Sequence, residues 1–210
     1  MNAYRIPEPI RIDGISYSGK ELKGECRSMS SQPGVADWKR EVYSFVEWFL
    51  DPSGEDLVQL TSGTTGAPKK VVLSREALWL SARRTLDWLG LRQGDSSLLC
   101  LPVRYIAGKM MVVRALAGGL SLRLTEPSGR PLKDLSEAVD FVAMVPLQVH
   151  ESMEHGDPLS QIARLIIGGG QLHTSLREKI SRHSRPQAFE TFGMTETCTH
   201  FAMKRINGPA

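Results

Sequence analysis

The chain has 210 residues, 41% apolar and 23% charged, with 26 Lys+Arg against 23 Asp+Glu and a formal net charge of +3. That length suits one large or two small domains with a substantial core, and the balance of apolar and charged residues excludes a disordered chain or a fibrous repeat. No apolar run reaches the roughly 18–20 residues that cross a bilayer, and the N-terminus MNAYRIPEPIRIDG has no signal-peptide core, so no membrane insertion and a cytoplasmic location are expected.

Residues 1–36 open with a Pro- and Gly-rich stretch and are read as an N-terminal extension whose structure the sequence leaves open. Asp37 is then placed as the cap of a helix carrying Trp38, Val42, Phe45, Val46 and Phe49 on one stripe. The stripe stops at Asp51-Pro52-Ser53-Gly54, and short strands are predicted at 57–60 and 71–73, on either side of a loop over 61–70. Ser74 is placed as the N-cap of a second helix with Leu78, Ala82, Leu86 and Leu89 inward and Gly90 as its stop. Further strands are predicted at 98–101, 120–124, 141–145, 165–167 and 188–191, alternating with helices near 109–117, 147–154 and 175–183. Such alternation predicts an α/β fold, a mainly parallel sheet with flanking helices. Ligands of such sheets sit outside the carboxyl ends of the strands. Gly168-Gly169-Gly170, Phe192-Gly193 and the turn over 102–108 should therefore line one cleft.

Cys26, Cys100 and Cys198 show no C-x-x-C spacing and read as reduced, mostly buried thiols rather than a disulfide framework or zinc site. The small positive excess is spread out, so nucleic acid is not an expected partner. The five histidines show no metal-ligand spacing, and His200 lies just past Thr195-Glu196. No G-x-S-x-G is present, against an α/β-hydrolase.

The most informative segment is Leu60-Thr61-Ser62-Gly63-Thr64-Thr65-Gly66-Ala67-Pro68-Lys69. Its glycines let backbone approach a ligand, its hydroxyls donate hydrogen bonds and Lys69 supplies a cation, a combination that suits an oligophosphate. A Walker A loop would require glycine where Pro68 stands and Ser or Thr where Lys70 stands. A solvated Gly/Thr hairpin loop is the bland alternative, but such a loop needs neither four hydroxyls nor a Pro-Lys.

This loop resembles the signature loop of the adenylate-forming superfamily, which comprises acyl-CoA ligases, peptide-synthetase adenylation domains and luciferases. Two later stretches agree in order. Glu190-Thr191-Phe192-Gly193-Met194-Thr195-Glu196-Thr197 resembles the family's aromatic-Gly-x-Thr-Glu motif, and Ile166-Ile167-Gly168-Gly169-Gly170-Gln171-Leu172 resembles its adenine-side glycine turn. The resemblance implies that Thr191, Phe192, Gly193 and Met194 belong to the nucleotide site, with Phe192 stacking on adenine and Gly169 and Gly170 approaching its other side. Thr195 would bond the α-phosphate, and Glu196 would hold Mg²⁺. Implied with it is ATP-dependent activation of a carboxylic acid to an acyl-adenylate, followed by transfer to CoA, with Lys69, Thr195 and Glu196 as the catalytic set.

Leu101-Pro102-Val103-Arg104-Tyr105-Ile106-Ala107-Gly108-Lys109 resembles the family's Leu-Pro-x-aromatic-His-x-x-Gly turn, with Arg104 at the aromatic position and Tyr105 at the histidine. Arg104, Lys109 and Arg114 place positive charge beside the acid, which favours a substrate with a second carboxylate. Arg104, Tyr105 and Lys109 are the substrate-binding candidates. The stretch through Met110-Met111-Val112-Val113-Arg114-Ala115-Leu116 looks most like bacterial o-succinylbenzoate:CoA ligases of menaquinone biosynthesis. Another aryl- or acyl-CoA ligase, or a nucleotide-binding module without catalysis, is the alternative.

The resemblance covers residues 37 to about 205, so 37–210 is expected to be part of the family's large N-terminal domain. The family's ribose-binding aspartate, hinge and small C-terminal domain with its lysine are absent from the sequence. The chain alone is therefore expected to bind ATP or the adenylate weakly or not at all, and to catalyse neither step efficiently. A homo-oligomer is left open.

Overall fold

In a computed structural model, the described residues are 5–51, 53–61 and 69–207. The first of them pair in a hairpin of β1 (Ile10–Ile12) and β2 (Ile15–Tyr17). Between the strands, Asp13 and Gly14 both take positive φ, 48° and 78°, as a tight Asp-Gly hairpin turn requires. Helix α1 (Gly19–Ser31) follows from a capping box in which the Ser18 hydroxyl accepts the Glu21 amide at 3.3 Å and the Glu21 carboxylate accepts the Ser18 amide at 2.7 Å. Residues 5–36 thus carry regular structure that the sequence reading left open.

Helix α2 (Asp37–Leu50) buries Val42, Phe45, Val46 and Phe49 as the stripe predicted, and Trp38 packs half-buried against the same core. Its cap is corrected by one residue. Ala36 is the N-cap, without a side-chain bond, and Asp37 lies in the first turn, where its charge favours the helix N-terminus. Strands β3 (Leu57–Thr61) and β4 (Lys69–Leu73) form a separate antiparallel pair, with Thr61 opposite Lys69. Helix α3 (Arg75–Leu89) starts at Ser74, whose hydroxyl accepts the Ala77 amide at 3.1 Å, and ends at Gly90 in the left-handed region, φ 64°.

Strand β5 (Ser96–Leu99) begins two residues before its predicted position. The apolar run through Leu101 reports burial, whereas the pairing ends at Leu99 opposite Leu124. Helix α4 (Ile106–Gly118) is buried along nearly its whole length and packs against α2, α3 and β5, the position of an apolar helix inside a core. The remaining elements are β6 (Ser121–Leu124), β7 (Val139–Met144), α5 (Pro146–Glu154), β8 (Ile162–Ile167), α6 (Thr174–Ser181) and β9 (Gln187–Gly193). A 3₁₀ turn over Thr195–Thr197 then leads to β10 (His200–Arg205), a strand the sequence reading did not place.

The main sheet runs β10-β9-β8-β7-β5-β6-β1-β2. Its six inner strands are parallel, and the outer pairs β10/β9 and β1/β2 are antiparallel. From β5 the chain crosses to β6 on one side and later returns to β7 on the other, so the strand order reverses between β5 and β7. Crevices form at the carboxyl ends of strands at such a switch point. Among the described residues no helix is long and apolar enough to cross a membrane. All three cysteines are buried and free, and burial pushes the thiols of Cys26 and Cys100 up to about 12, which leaves them unreactive.

Candidate active site

A cavity of about 240 Å³ opens at the switch point. Leu101, Ile106 and Ala107 line it from the turn after β5, Val145 from the end of β7, Gly168 and Gly169 from the end of β8, and Thr191, Met194 and Thr195 from the end of β9. Three of the turns that the sequence analysis assigned to one cleft do meet there. Gly168 is required by packing, because a Cβ would collide with the Thr191 hydroxyl, itself bonded to the Ile167 carbonyl at 3.1 Å. Gly169 has φ +77°, which turns the chain away from β8. Gly170 has only Pro146 near its Cβ direction, at 3.7 Å, so chain packing leaves that side open to a ligand.

The segment after β9 is held by its own hydroxyls. Thr197 Oγ1 lies 2.9 and 2.6 Å from the carbonyls of Met194 and Thr199, which share its one proton, and accepts the Met194 amide at 3.2 Å. Cys198 is held at φ 64°, ψ −35°, a conformation costly for a non-glycine residue. At Gly193 the chain passes so near Thr199 and His200 that a Cβ would strike their backbone. The result presents Phe192 exposed at the strand end, Thr195 at the cavity and Glu196 exposed on the turn. No cluster of three His, Cys, Asp or Glu suited to a metal occurs among the described residues. One exposed carboxylate fits Mg²⁺, which takes one or two carboxylates and completes its octahedron with water and phosphate oxygens.

Strand β4, which begins at the exposed Lys69, lies against the 195–197 turn. The hydroxyl-rich segment therefore departs from a hairpin set beside Glu196. Ser62, Gly63, Thr64, Thr65 and Gly66 lie outside the described residues, and Thr61 is described as the last residue of β3 through its backbone alone.

The cations are arranged differently from the sequence expectation. Lys109 turns away from the cavity, toward β3 and α2. Its ammonium donates to the Val103 carbonyl at 2.6 Å and to Gln59 Oε1 at 3.0 Å and lies 5.7 Å from the centre of the Phe45 ring. Arg104 stacks over the Tyr105 ring at 5.1 Å, and both side chains are exposed. None of the three lines the 240 Å³ cavity.

Arg114 does line it. The residue is 1% exposed, and among the described residues no carboxylate pairs with its guanidinium. Its Nη2 donates to Thr199 Oγ1 at 2.9 Å, its Nη1 reaches Met111 Sδ at 3.8 Å, and its Nε has no partner. Burial presses its pKa down to about 9, which leaves it charged at neutral pH. An unpaired buried cation costs several kcal/mol, so the cavity is prepared for an anion.

From Arg114 a chain of hydrogen bonds runs outward. Thr199 Oγ1 is 3.5 Å from His200 Nδ1, His200 Nε2 is 3.2 Å from Thr85 Oγ1, and Thr85 donates to the Ser81 carbonyl at 3.1 Å. Thr85 has a single proton and gives it to the Ser81 carbonyl, so it accepts from Nε2–H, and Nδ1 of the neutral ring is left to accept. Thr199 donates to Nδ1, and His200 carries its proton on Nε2. Burial and the nearby Arg114 charge push His200 down to about 4, so the ring is neutral at physiological pH. Neither Thr85 nor Gln59 carried a motif signal; each is identified by its partners in the fold.

A family model described as AMP-binding enzyme matches residues 22–210. A 2-succinylbenzoate--CoA ligase from Staphylococcus aureus (strain MSSA476) is 28% identical over 149 residues, covering 69% of this chain and 30% of the relative. The chain thus spans about 30% of the length of the curated relatives it matches. Among solved structures, an acyl-CoA synthetase (AMP-forming)/AMP-acid ligase II-like protein from Dyadobacter fermentans superposes with TM-score 0.78 at 34% identity, covering 89% of this chain and 53% of its own. The o-succinylbenzoate CoA synthetase (MenE) of Bacillus subtilis in complex with AMP gives TM-score 0.62 at 26% identity, covering 70% of this chain and 38% of its own.

Proposed function

The chain belongs to the AMP-binding enzyme family, and from that premise we propose that these residues serve an ATP-dependent acid:CoA ligase whose acid is an aromatic dicarboxylate of the 2-succinylbenzoate kind. In the first step a carboxylate oxygen attacks the α-phosphorus of ATP. An O–P bond forms, the bond to the β-phosphate oxygen breaks, and pyrophosphate leaves. In the second step the thiolate of CoA attacks the acyl carbon, forming a C–S bond as AMP departs. Both steps depend on orientation and charge neutralisation more than on covalent help from the protein.

In this reading the roles are those the sequence motifs imply, and the described side chains support them as follows. Phe192, exposed at the end of β9, offers a face for adenine, and Gly169 and Gly170 follow the neighbouring strand β8. Thr195 faces the α-phosphate, and Lys69 and the segment 61–66 take the outer phosphates. Glu196 would hold Mg²⁺, which supplies positive charge to the phosphate oxygens when bound. The acid enters the switch-point cavity, so that its reacting carboxylate meets Thr195 and its second carboxylate meets Arg114.

Arg114 is the observation that carries the substrate class. A buried guanidinium with an unpartnered Nε is recognised by a carboxylate and would be a liability beside an alkyl tail. The matching relatives named for 2-succinylbenzoate support this reading. Calorimetric titration with 2-succinylbenzoate and with 4-oxo-4-phenylbutanoate, which lacks the ring carboxylate, tests it. The dicarboxylate is expected to bind at least tenfold tighter, and Arg114→Gln to erase that difference. Equal affinities in the unaltered chain would refute it.

A further inference from the structure

We infer that His200 caps the acid pocket: its ring is a fixed partition between the 240 Å³ cavity and a second, larger cavity, and it limits the length of acid that the pocket accepts. The inference rests on the proposed reading of the smaller cavity as the acid site.

The second cavity, of about 690 Å³, lies between α3 and β10 and is lined by Leu80, Thr85, Trp88 and Phe201 among others. Among the described residues, His200 alone lines both cavities. Its two ring nitrogens point to opposite sides. Nδ1 faces Thr199, which lines the smaller cavity, and Nε2 faces Thr85, which lines the larger one. Turning the ring aside would break both bonds in a half-buried setting, so the imidazole acts as a wall and not as a swinging gate. Neutrality suits that role, because a charged ring next to Arg114 would be repelled from it.

The chemistry beyond the wall differs from the chemistry before it. Arg84 and Glu196 form a polar side of the larger cavity, whereas Leu80, Trp88 and Phe201 are large, apolar and 48%, 54% and 66% exposed, so its other side would welcome an alkyl or aryl tail. A tail that passed Arg114 would reach them if the imidazole were absent. The wall thus excludes long monocarboxylic acids, while Arg114 favours short acids with a second carboxylate.

The test titrates the chain, His200→Ala and His200→Gln with straight-chain acids from butanoate to decanoate, and determines the crystal structure of His200→Ala without ligand. In the unaltered chain and in His200→Gln, decanoate is expected to bind no tighter than hexanoate. In His200→Ala it should gain at least tenfold, with hexanoate changing less than threefold and with one continuous void in the crystal. His200→Asn, shorter than histidine but still polar, replaces alanine where that variant does not fold. Two separate voids, or an unchanged order of affinities across a continuous void, would overturn the cap. Failure of the unaltered chain to bind 2-succinylbenzoate would instead count against the acid-site reading, and the cap of acid length would fall with it.

Discussion

His200 links the chemistry of one residue to the stability of the whole chain. Its pKa falls from the ordinary 6.5 to about 4, first through burial and then through Arg114. Below pH 6.5 the unfolded chain takes up a proton that the folded chain refuses, so this part of the stability is complete above about 6.5 and is lost as pH falls toward 4. A shift of that size corresponds to ~3 kcal/mol at most, and access of water to the half-buried ring reduces it. Among the described residues, Arg84 and Glu196 also line the larger cavity with the ring. Urea midpoints measured at pH 7 and pH 4.5 should therefore drop less in His200→Gln than in the unaltered chain, and equal drops would assign the acid sensitivity to other groups. At this scale a motif marks position, as at Phe192, Thr195 and Glu196, which the fold gathers at the end of β9 and the turn that follows it. The sequence misdirected the cations, because charge in a sequence carries no direction. Lys109 and Arg114 lie five positions apart on α4, and only the fold decides that one faces the Val103 carbonyl and the other the cavity.

The reassignment of Lys109 gives the hairpin β3–β4 its anchor. Gln59, only 8% exposed, donates to the Arg104 carbonyl at 3.0 Å and accepts from Lys109, whose other bonds go to the carbonyls of Val103 and Arg104. One lysine and one glutamine thus tie the strand that enters the hydroxyl-rich segment to the turn that lines the acid cavity. Burial lowers the Lys109 pKa, a cost met by these bonds. Lys109→Met should remove them, with a loss of about 1.5–3 kcal/mol, the range for hydrogen bonds to a charged group. Hydrogen exchange should rise in Leu57–Thr61 while the β7–β8 ladder stays protected. Retention of hairpin protection would show that the pair is dispensable. Element by element, the sequence was most readable where local rules act alone, as in the Ser74 cap and Gly90 stop of α3. The Asp13-Gly14 turn and the Ser18/Glu21 box were equally local and could have revealed β1, β2 and α1. By contrast β10 is mostly exposed, and its pairing with β9 is interrupted between His200 and Ala202, so periodicity gives it little signal.

Across the whole molecule, alternation of strands and helices was enough to foresee a mainly parallel sheet, but strand order is a property of long-range pairing that no local pattern encodes. The order places β1 beside β6, far along the chain, and makes the first residues part of the main sheet. Arg11 and Ile12 pair with Ser121 and Leu122, Asp13 accepts the Leu124 amide at 2.8 Å and the Lys39 ammonium at 3.1 Å, and Ile12, Leu22 and Cys26 are each no more than 1% exposed. Each fully buried aliphatic side chain contributes roughly 1.5–3 kcal/mol, against a total stability of about 5–15 kcal/mol for an ordinary domain. Removing residues 1–36 would strip these side chains from α2 and β6 and expose β6 as an apolar sheet edge, a surface prone to pair with other chains. A chain of residues 37–210 is therefore expected to melt without a cooperative transition, or to aggregate, when followed by circular dichroism and light scattering. Adding back a segment that restores the hairpin and α1 should recover the transition. A cooperative melt of 37–210 within a few degrees of the full chain would mean that β1 and α1 rest on a core able to stand without them.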